Sequence, residues 1–279
     1  MEIAKSTKKM YEFYLKRYEK SDFSKPREML EALLEAKNKK GVKLSVPCIK
    51  LIICAIIWKL KNEKGDKEVI SKYQSYVSAL RAKSNEKESD NSQYAGIIPK
   101  WDEIVKIREE QKDKKKWKNY LILSLYTYLP PRRFNDYLYM KIALTPNNMK
   151  DHNFNYYDMK DKVFVFNFYK TSKTYKQQSV EIPEKLQNII DEYIEQSNLK
   201  SGDSLLGFTS YQQILRILKK LLNCGIDNIR HSYINHEYEA YTKNGLPNNK
   251  ILEENALIMG HSLQTHLRYR KDVNEEKKE

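Results

Sequence analysis

Ile229-Arg230-His231-Ser232, Met259-Gly260-His261-Ser262 and, eight residues past the second motif's histidine, Tyr269 make up the stretch that decides the reading of this 279-residue chain. Asn228 to Lys243 and Asn248 to Met259 carry helical periodicity, Gly260 ends the second helix, and a short final helix carries Tyr269. If these helices fold back on one another, an arginine, a histidine and a tyrosine converge on one phosphate. A guanidinium fork matches phosphate oxygens, and a phenol is a nucleophile.

Upstream, helical patterns cover Pro183 to Gln196 and Ser210 to Leu222, and before them the period changes. Lys162-Val163-Phe164-Val165-Phe166-Asn167-Phe168-Tyr169 and Ser179-Val180-Glu181-Ile182 read as two strands of a hairpin. Lys170-Thr171-Ser172-Lys173-Thr174-Tyr175-Lys176 lies between them and sets lysines at the tip. Earlier still, an apolar helix from Trp117 to Leu129 halts at Pro130-Pro131, and Arg132-Arg133-Phe134-Asn135-Asp136 opens a new one. Arginines at a helix start face an anion together with free backbone amides. Trp101 to about Glu110 is another helix, and the run Lys112, Lys114, Lys115, Lys116 and Lys118 reads as a solvated helix start.

The polar run Ser84 to Ser92 has no apolar period and marks a boundary between residues 1–92 and 93–279. The first part holds four helices: Thr7 to Glu19; one from Pro26 through Leu34, ended by Gly41; one opened by Ser45 and Pro47 and running to about Leu60; and Val69 to Lys83. The expected fold class is therefore mainly α with a small antiparallel β-hairpin or sheet, an N-terminal helical bundle preceding a C-terminal domain.

A formal charge of +14 and a pI near 9.3 point to a polyanionic partner, since unbalanced positive charge draws nucleic acid electrostatically. The charged start at Met1 does not resemble a signal peptide, and the longest apolar run, Leu51 to Trp58, is too short to span a bilayer. Cys48, Cys54 and Cys224 are odd in number and sit in or near apolar patterns, as reduced core residues do. These features suggest a soluble, intracellular, DNA-associated protein with no membrane partner. His231 and His236 are five residues apart, off the helical ligand spacing, and neither a Cys-x-x-Cys nor a phosphate-binding glycine loop is present. Neither a metal nor a nucleotide cofactor is expected.

The order of these pieces resembles the tyrosine recombinase, or phage integrase, family of site-specific DNA recombinases. In that family the first arginine begins a helix with an acidic residue three positions later, which fits Arg133 with Asp136 better than Arg132. The catalytic lysine ends a hairpin strand beside a threonine, which fits Lys170, with Lys173 as the alternate. The second arginine falls on Arg230, followed as is common by His231, then Gly260-His261 and the nucleophile Tyr269. Two positions depart from the pattern. Asp227 stands where the family has His or Lys, and the interval from His261 to Tyr269 is one residue shorter than usual.

The resemblance implies a 3′-phosphotyrosine intermediate, no metal or ATP, and a homo-tetramer on paired sites in double-stranded DNA, integrating or excising a mobile or viral element. Arg133 and Arg230 would bind the phosphate, Lys170 or Lys173 would protonate the leaving oxygen, and His261 would donate a hydrogen bond. His231 reads as structural. A type IB topoisomerase-like nicking and resealing enzyme is the alternative within the same chemistry. A DNA-binding relative without catalysis is the other, and Asp227 is its one hint.

Overall fold

Prolines open helices where the backbone N–H would be unpaired anyway, and two of them do so in the first unit. The computed structural model describes residues 3–88, 98–144, 154–243 and 249–270, and the chain divides into two compact units, Met1–Asn91 and Ser92–Glu279. The polar run read as the boundary falls partly outside the described residues. In the first unit α1 spans Lys5–Arg17, α2 Pro26–Glu35, α3 Val46–Asn62 and α4 Lys67–Glu88. Pro26 and Pro47 occupy the first turns of α2 and α3. The apolar run of α3 is its buried core, with Ile52, Ile53, Ala55 and Ile56 packed between α1 and α4. Met29 and Leu33 of α2 and Tyr73 and Leu80 of α4 complete the cluster, and Tyr73 Oη donates to Phe23 O over 3.2 Å.

Two sequence expectations are corrected here. Helix α2 stops at Glu35 rather than at Gly41, because Lys37 pairs with Lys43 in a small bridge whose turn needs the positive φ of +78° at Gly41. Ser45 sits at the N-cap of α3 in extended backbone, but its hydroxyl makes no capping bond.

In the second unit α5 spans Trp101–Asp113, α6 Trp117–Thr127 and α7 Phe134–Leu138, with Arg133 at the N-cap of α7. Every side chain from Tyr120 to Tyr126 is buried, so α6 is the central helix, packed on α5 and on α9, Glu184–Gln196. Each fully buried Leu or Ile there contributes about 1.5–3 kcal/mol relative to exposure. The lysine run includes the start of α6, with Lys116 at its N-cap, but also takes in Lys112 in the last turn of α5. It straddles the α5–α6 turn, where Lys115 takes a left-handed φ of +52°, and Lys118 lies half-buried over the Phe208 ring at 4.2 Å.

The sheet has four strands in the order β1 (Lys141–Ala143), β2 (Tyr156–Asp158), β3 (Val163–Phe166) and β4 (Gln178–Glu181). The β3–β4 hairpin is antiparallel, pairing Phe164 with Val180 and Phe166 with Gln178. β2 is antiparallel to β3, but β1 runs parallel to β2, so the sheet is mixed rather than wholly antiparallel. Three-residue strands carry too little alternation to be read in sequence. The hairpin connection also holds a helical turn, α8 (Ser172–Tyr175), before Lys176 reverses the chain at a φ of +57°. Tyr137 of α7 packs its ring on Phe164 and Phe166 at 5.8 and 5.7 Å, fixing α7 against the sheet.

The remaining helices are α10 (Tyr211–Leu222), α11 (Ile226–Lys243), α12 (Asn249–Ile258) and α13 (Leu263–Tyr269). A capping box formed by Ser210 and Gln213 starts α10. The residues beyond Arg270 lie outside the described range. Among the described residues no helix is long and apolar enough to cross a membrane.

Candidate active site at the end of helix α12

Helix α12 ends in a turn that only a residue tolerant of positive φ can make. Gly260, at φ +70°, donates its N–H to Leu257 O over 2.9 Å, and His261 N–H reaches back to Ala256 O over 3.0 Å. This pair of bonds is the Schellman closure. It leaves the last carbonyls of α12 pointing outward at the negative end of the helix dipole, where cations are stabilised.

Three arginines and a hairpin converge on those carbonyls. Gln178 Nε2 donates to Leu257 O (3.1 Å), Arg132 Nη1 to Ile258 O (2.5 Å) and Arg230 Nη1 to Met259 O (3.5 Å). Gly260 O accepts from both Arg133 Nη1 (3.2 Å) and Thr171 Oγ1 (2.8 Å). The turn at Gly260 thereby ties α7, the β3–β4 connection and α11 together.

The two neighbouring arginines are used differently. Arg132 is 1% exposed; its Nε donates to Asp136 Oδ2 at 3.0 Å, and its guanidinium lies 3.9 Å from the Phe166 ring centroid. Asp136 therefore pairs with Arg132, one turn before it, and not with Arg133. Burial raises the Asp136 carboxyl above its usual value while Arg132 pulls it back down, the balance expected of a buried ion pair. Arg133 is only half-buried, at the Gly260 turn.

Arg230 is fully buried on α11. Its Nη1 donates to Pro131 O at 2.9 Å, its Nη2 to His261 Nδ1 at 2.7 Å, and its guanidinium carbon lies 4.9 Å from the Tyr269 ring centroid. Burial lowers its pKa, and the Tyr269 side chain opposes that shift. His261 stacks on Tyr269 with ring centroids 5.5 Å apart. Burial and then Arg230 push its pKa down to about 2, so the imidazole is neutral. Tyr269 is also held by His231, whose ring lies 4.8 Å away and whose Nδ1 donates to the Tyr269 carbonyl at 2.5 Å. Ser262 caps the start of α13 by accepting from Thr265 N.

No protein-family model matches the chain, and no curated protein matches its sequence. Among solved structures, that of XerA recombinase is a distant neighbour. It is 15% identical with a TM-score of 0.45, over 96% of this chain and 87% of that one.

Arg230, His261 and Tyr269 are thus in mutual contact, with Arg133 and the hairpin joined to them through Gly260. Lys170 and Lys173 are exposed on the β3–β4 connection, Lys170 just before Thr171 and Lys173 within α8. Asp227 is exposed in the first turn of α11, where a carboxylate complements the helix dipole. Among the described residues no three His, Cys, Asp or Glu side chains are grouped as metal ligands.

Sequence reasoning passed over Gln178, Glu237 and His266, and used Thr171 only as the neighbour of Lys170. Glu237 accepts from Tyr233 Oη at 2.8 Å and from Asn255 Nδ2, and His266 Nδ1 lies 3.2 Å from His261 Nε2. The only signal in sequence was spacing: Glu237 falls two helical turns after Arg230, hence on the same face.

Proposed function

We propose that this chain is a site-specific DNA recombinase that cleaves and rejoins double-stranded DNA through a covalent 3′-phosphotyrosine. The observation that carries the reading is the contact of Arg230, His261 and Tyr269, which are strung over 39 residues of sequence yet share one site. Phosphodiester exchange needs a nucleophile, fixed positive charge on the non-bridging oxygens and an acid for the leaving oxygen. Tyr269 Oη loses its proton to solvent as it attacks phosphorus, the O–P bond forms, and the bond to the 5′ oxygen breaks. Lys170, or Lys173, gives that oxygen its proton. Arg230 and the half-buried Arg133 hold the non-bridging oxygens, and their contacts strengthen as charge builds. Arg132 is already committed to Asp136 and to the α12 turn, and serves as the scaffold beneath them.

The Tyr269 ring lies over Arg230, which has no exposed surface of its own, so DNA entry requires α13 to shift and uncover the guanidinium. The net charge of +14 supports phosphate-dominated, strongly salt-dependent binding. Assembly as a tetramer on paired sites and integration or excision of a mobile or viral element belong to the same proposal. The test is a nicked suicide duplex carrying the recombination site, with a protein–DNA adduct read on a denaturing gel. The native chain forms the adduct; Tyr269→Phe abolishes it, and Arg230→Ala abolishes cleavage while leaving gel-shift binding largely intact. An adduct that survives Tyr269→Phe would sink the proposal.

A further inference from the structure

Behind Arg230 a line of buried side chains runs into the interface of α11, α12 and α13. Arg230 Nη2 is 2.7 Å from His261 Nδ1, His261 Nε2 is 3.2 Å from His266 Nδ1, and His266 Nε2 is 3.7 Å from Glu237 Oε2. A guanidinium can only donate, so His261 Nδ1 accepts and its proton sits on Nε2. That proton is directed at His266 Nδ1, which puts the His266 proton on Nε2, facing Glu237. The direction of every hydrogen along the line is therefore fixed from Arg230 outward.

Three features set this line apart from ordinary packing. Arg230 has no exposed surface; it donates to Pro131 O, Met259 O and His261 Nδ1, and the carboxylates that act on it are Asp227 and Asp136. His266 is fully buried and Glu237 nearly so, and His266 Nε2 and Glu237 Oε2 have no hydrogen-bond partner while pointing at each other. Their separation of 3.7 Å exceeds a hydrogen bond, so a shift of α13 by under an ångström closes or opens it.

We propose that Glu237 and His266 are positioning residues: through His261 they orient the Arg230 guanidinium for the scissile phosphate. The inference rests on the phosphotyrosine reading above. Because Tyr269 and His266 share α13, lifting Tyr269 off Arg230 also moves His266 relative to Glu237. Seating of the nucleophile helix is thereby coupled to the orientation of the phosphate-binding arginine.

The groups around Glu237 come from three helices and the residue after α13. Tyr233 and Tyr238 lie on its own helix, Asn255 on α12 and His266 on α13, while Arg270 lies over the Tyr238 ring. Helix α5 brings Trp101 against Tyr233 and His236. Burial raises the Glu237 carboxyl to about 7, against hydrogen bonds from Tyr233 and Asn255 that favour the ionised form. Burial likewise lowers His266 to about 4, so the contact is between a carboxyl group and a neutral imidazole rather than an ion pair.

The experiment uses the full chain with two readouts. Long-range proton–nitrogen NMR of nitrogen-15-labelled histidine reports the tautomers of His261 and His266. Single-turnover adduct formation on the nicked duplex reports the chemistry from pH 5.5 to 9. The native protein is expected to hold both imidazoles as the Nε2–H tautomer above neutrality, and its cleavage rate to rise through a limb near pH 7. Glu237→Gln loses that limb, slows cleavage on the order of tenfold to hundredfold as for a misplaced catalytic group, and mixes the tautomers, with duplex binding unchanged. Tyr233→Phe, which removes one hydrogen bond from the carboxylate and needs no repacking, moves the limb to higher pH. A purely structural role would not move it.

The proposal is overturned if Glu237→Gln keeps the limb and rate, if Tyr233→Phe leaves the limb in place, or if native His261 carries its proton on Nδ1. Should the native protein form no adduct, the phosphotyrosine reading falls, and the spectra decide the positioning line alone. Tautomers that change in Glu237→Gln sustain it, and unchanged tautomers discard it.

Discussion

Replacing Gly260 with alanine probes the turn on which the whole site depends. At its φ of +70° an L side chain costs about 1–2 kcal/mol. A Cβ there would also stand 3.1 Å from Arg132 Nη2 and 3.6 Å from Arg132 Cζ and the Tyr169 ring. Arg132 has little room to yield, because Asp136, Gln178 and Ile258 O hold three sides of it and the Phe166 and Tyr169 rings face it. Losing the equivalent of one such hydrogen bond adds about 1 kcal/mol. The sum, about 2–3 kcal/mol, lowers the Tm of a unit this size by about 4–12 °C.

Gly202 supplies the control within the same unit. It also has a positive φ, +95°, but nothing lies within 4 Å of a Cβ built on it. Gly202→Ala therefore carries the backbone term alone, and thermal melts of the two variants differ by about 1 kcal/mol, the part due to Arg132. Adduct formation falls in Gly260→Ala and is retained in Gly202→Ala. Equal destabilisation by the two substitutions, or a neutral Gly260→Ala, would refute the idea that Arg132 is braced against this turn.

Acid stability reports the buried histidines. His266 and His261 have folded pKa values near 4 and 2 against 6.5 when unfolded, so the stability they contribute is present above pH 6.5 and is lost as pH falls. Glu237, raised from 4.5 to about 7, acts in the opposite sense: its contribution is full below pH 4.5 and fades as pH rises to about 7. Each such group contributes about 1.4 kcal/mol per pH unit, so these three give a net loss of about 1.4 kcal/mol per unit between pH 6.5 and 4.5. Glu237→Gln steepens that slope to about 2.8 kcal/mol per unit, and denaturant titrations giving the native slope would contradict it. The two hairpin lysines are separated by a substrate with sulfur at the 5′ bridging position, whose leaving group needs no proton. Whichever of Lys170→Ala and Lys173→Ala cleaves normal DNA poorly but recovers on that substrate identifies the acid, and recovery by neither argues against a lysine acid.

Local signals carried much of the architecture. Prolines 26 and 47, the break at Pro130-Pro131, and the 3.6-residue periods of α3, α6, α9 and α10 were readable because each lies within one segment, where propensity and capping act over a few residues. The β3–β4 hairpin was legible for the same reason. What failed was either short or non-local. β1 and β2 have three residues each, their pairing is decided by partners outside their own segments, and the helical turn α8 interrupts what reads as a plain tip. The lysine run was read as a helix start, which holds for Lys116 and Lys118, but charge alone did not show that its first part belongs to the end of α5 and the turn.

By itself the sequence determined which residue types could perform phosphoryl chemistry, and it set Arg230 and Tyr269 on helices and His261 just past a glycine that could fold them together. Only the tertiary structure decided that Asp136 belongs to Arg132, that the outward carbonyls of the Gly260 turn gather three guanidiniums, and that a histidine and a glutamate lie in line behind Arg230. The reason is physical. Periodicity tells which face of a helix is buried, but the partner of a buried charge is chosen by whichever acceptor packing brings within about 3 Å of it, at any distance along the chain.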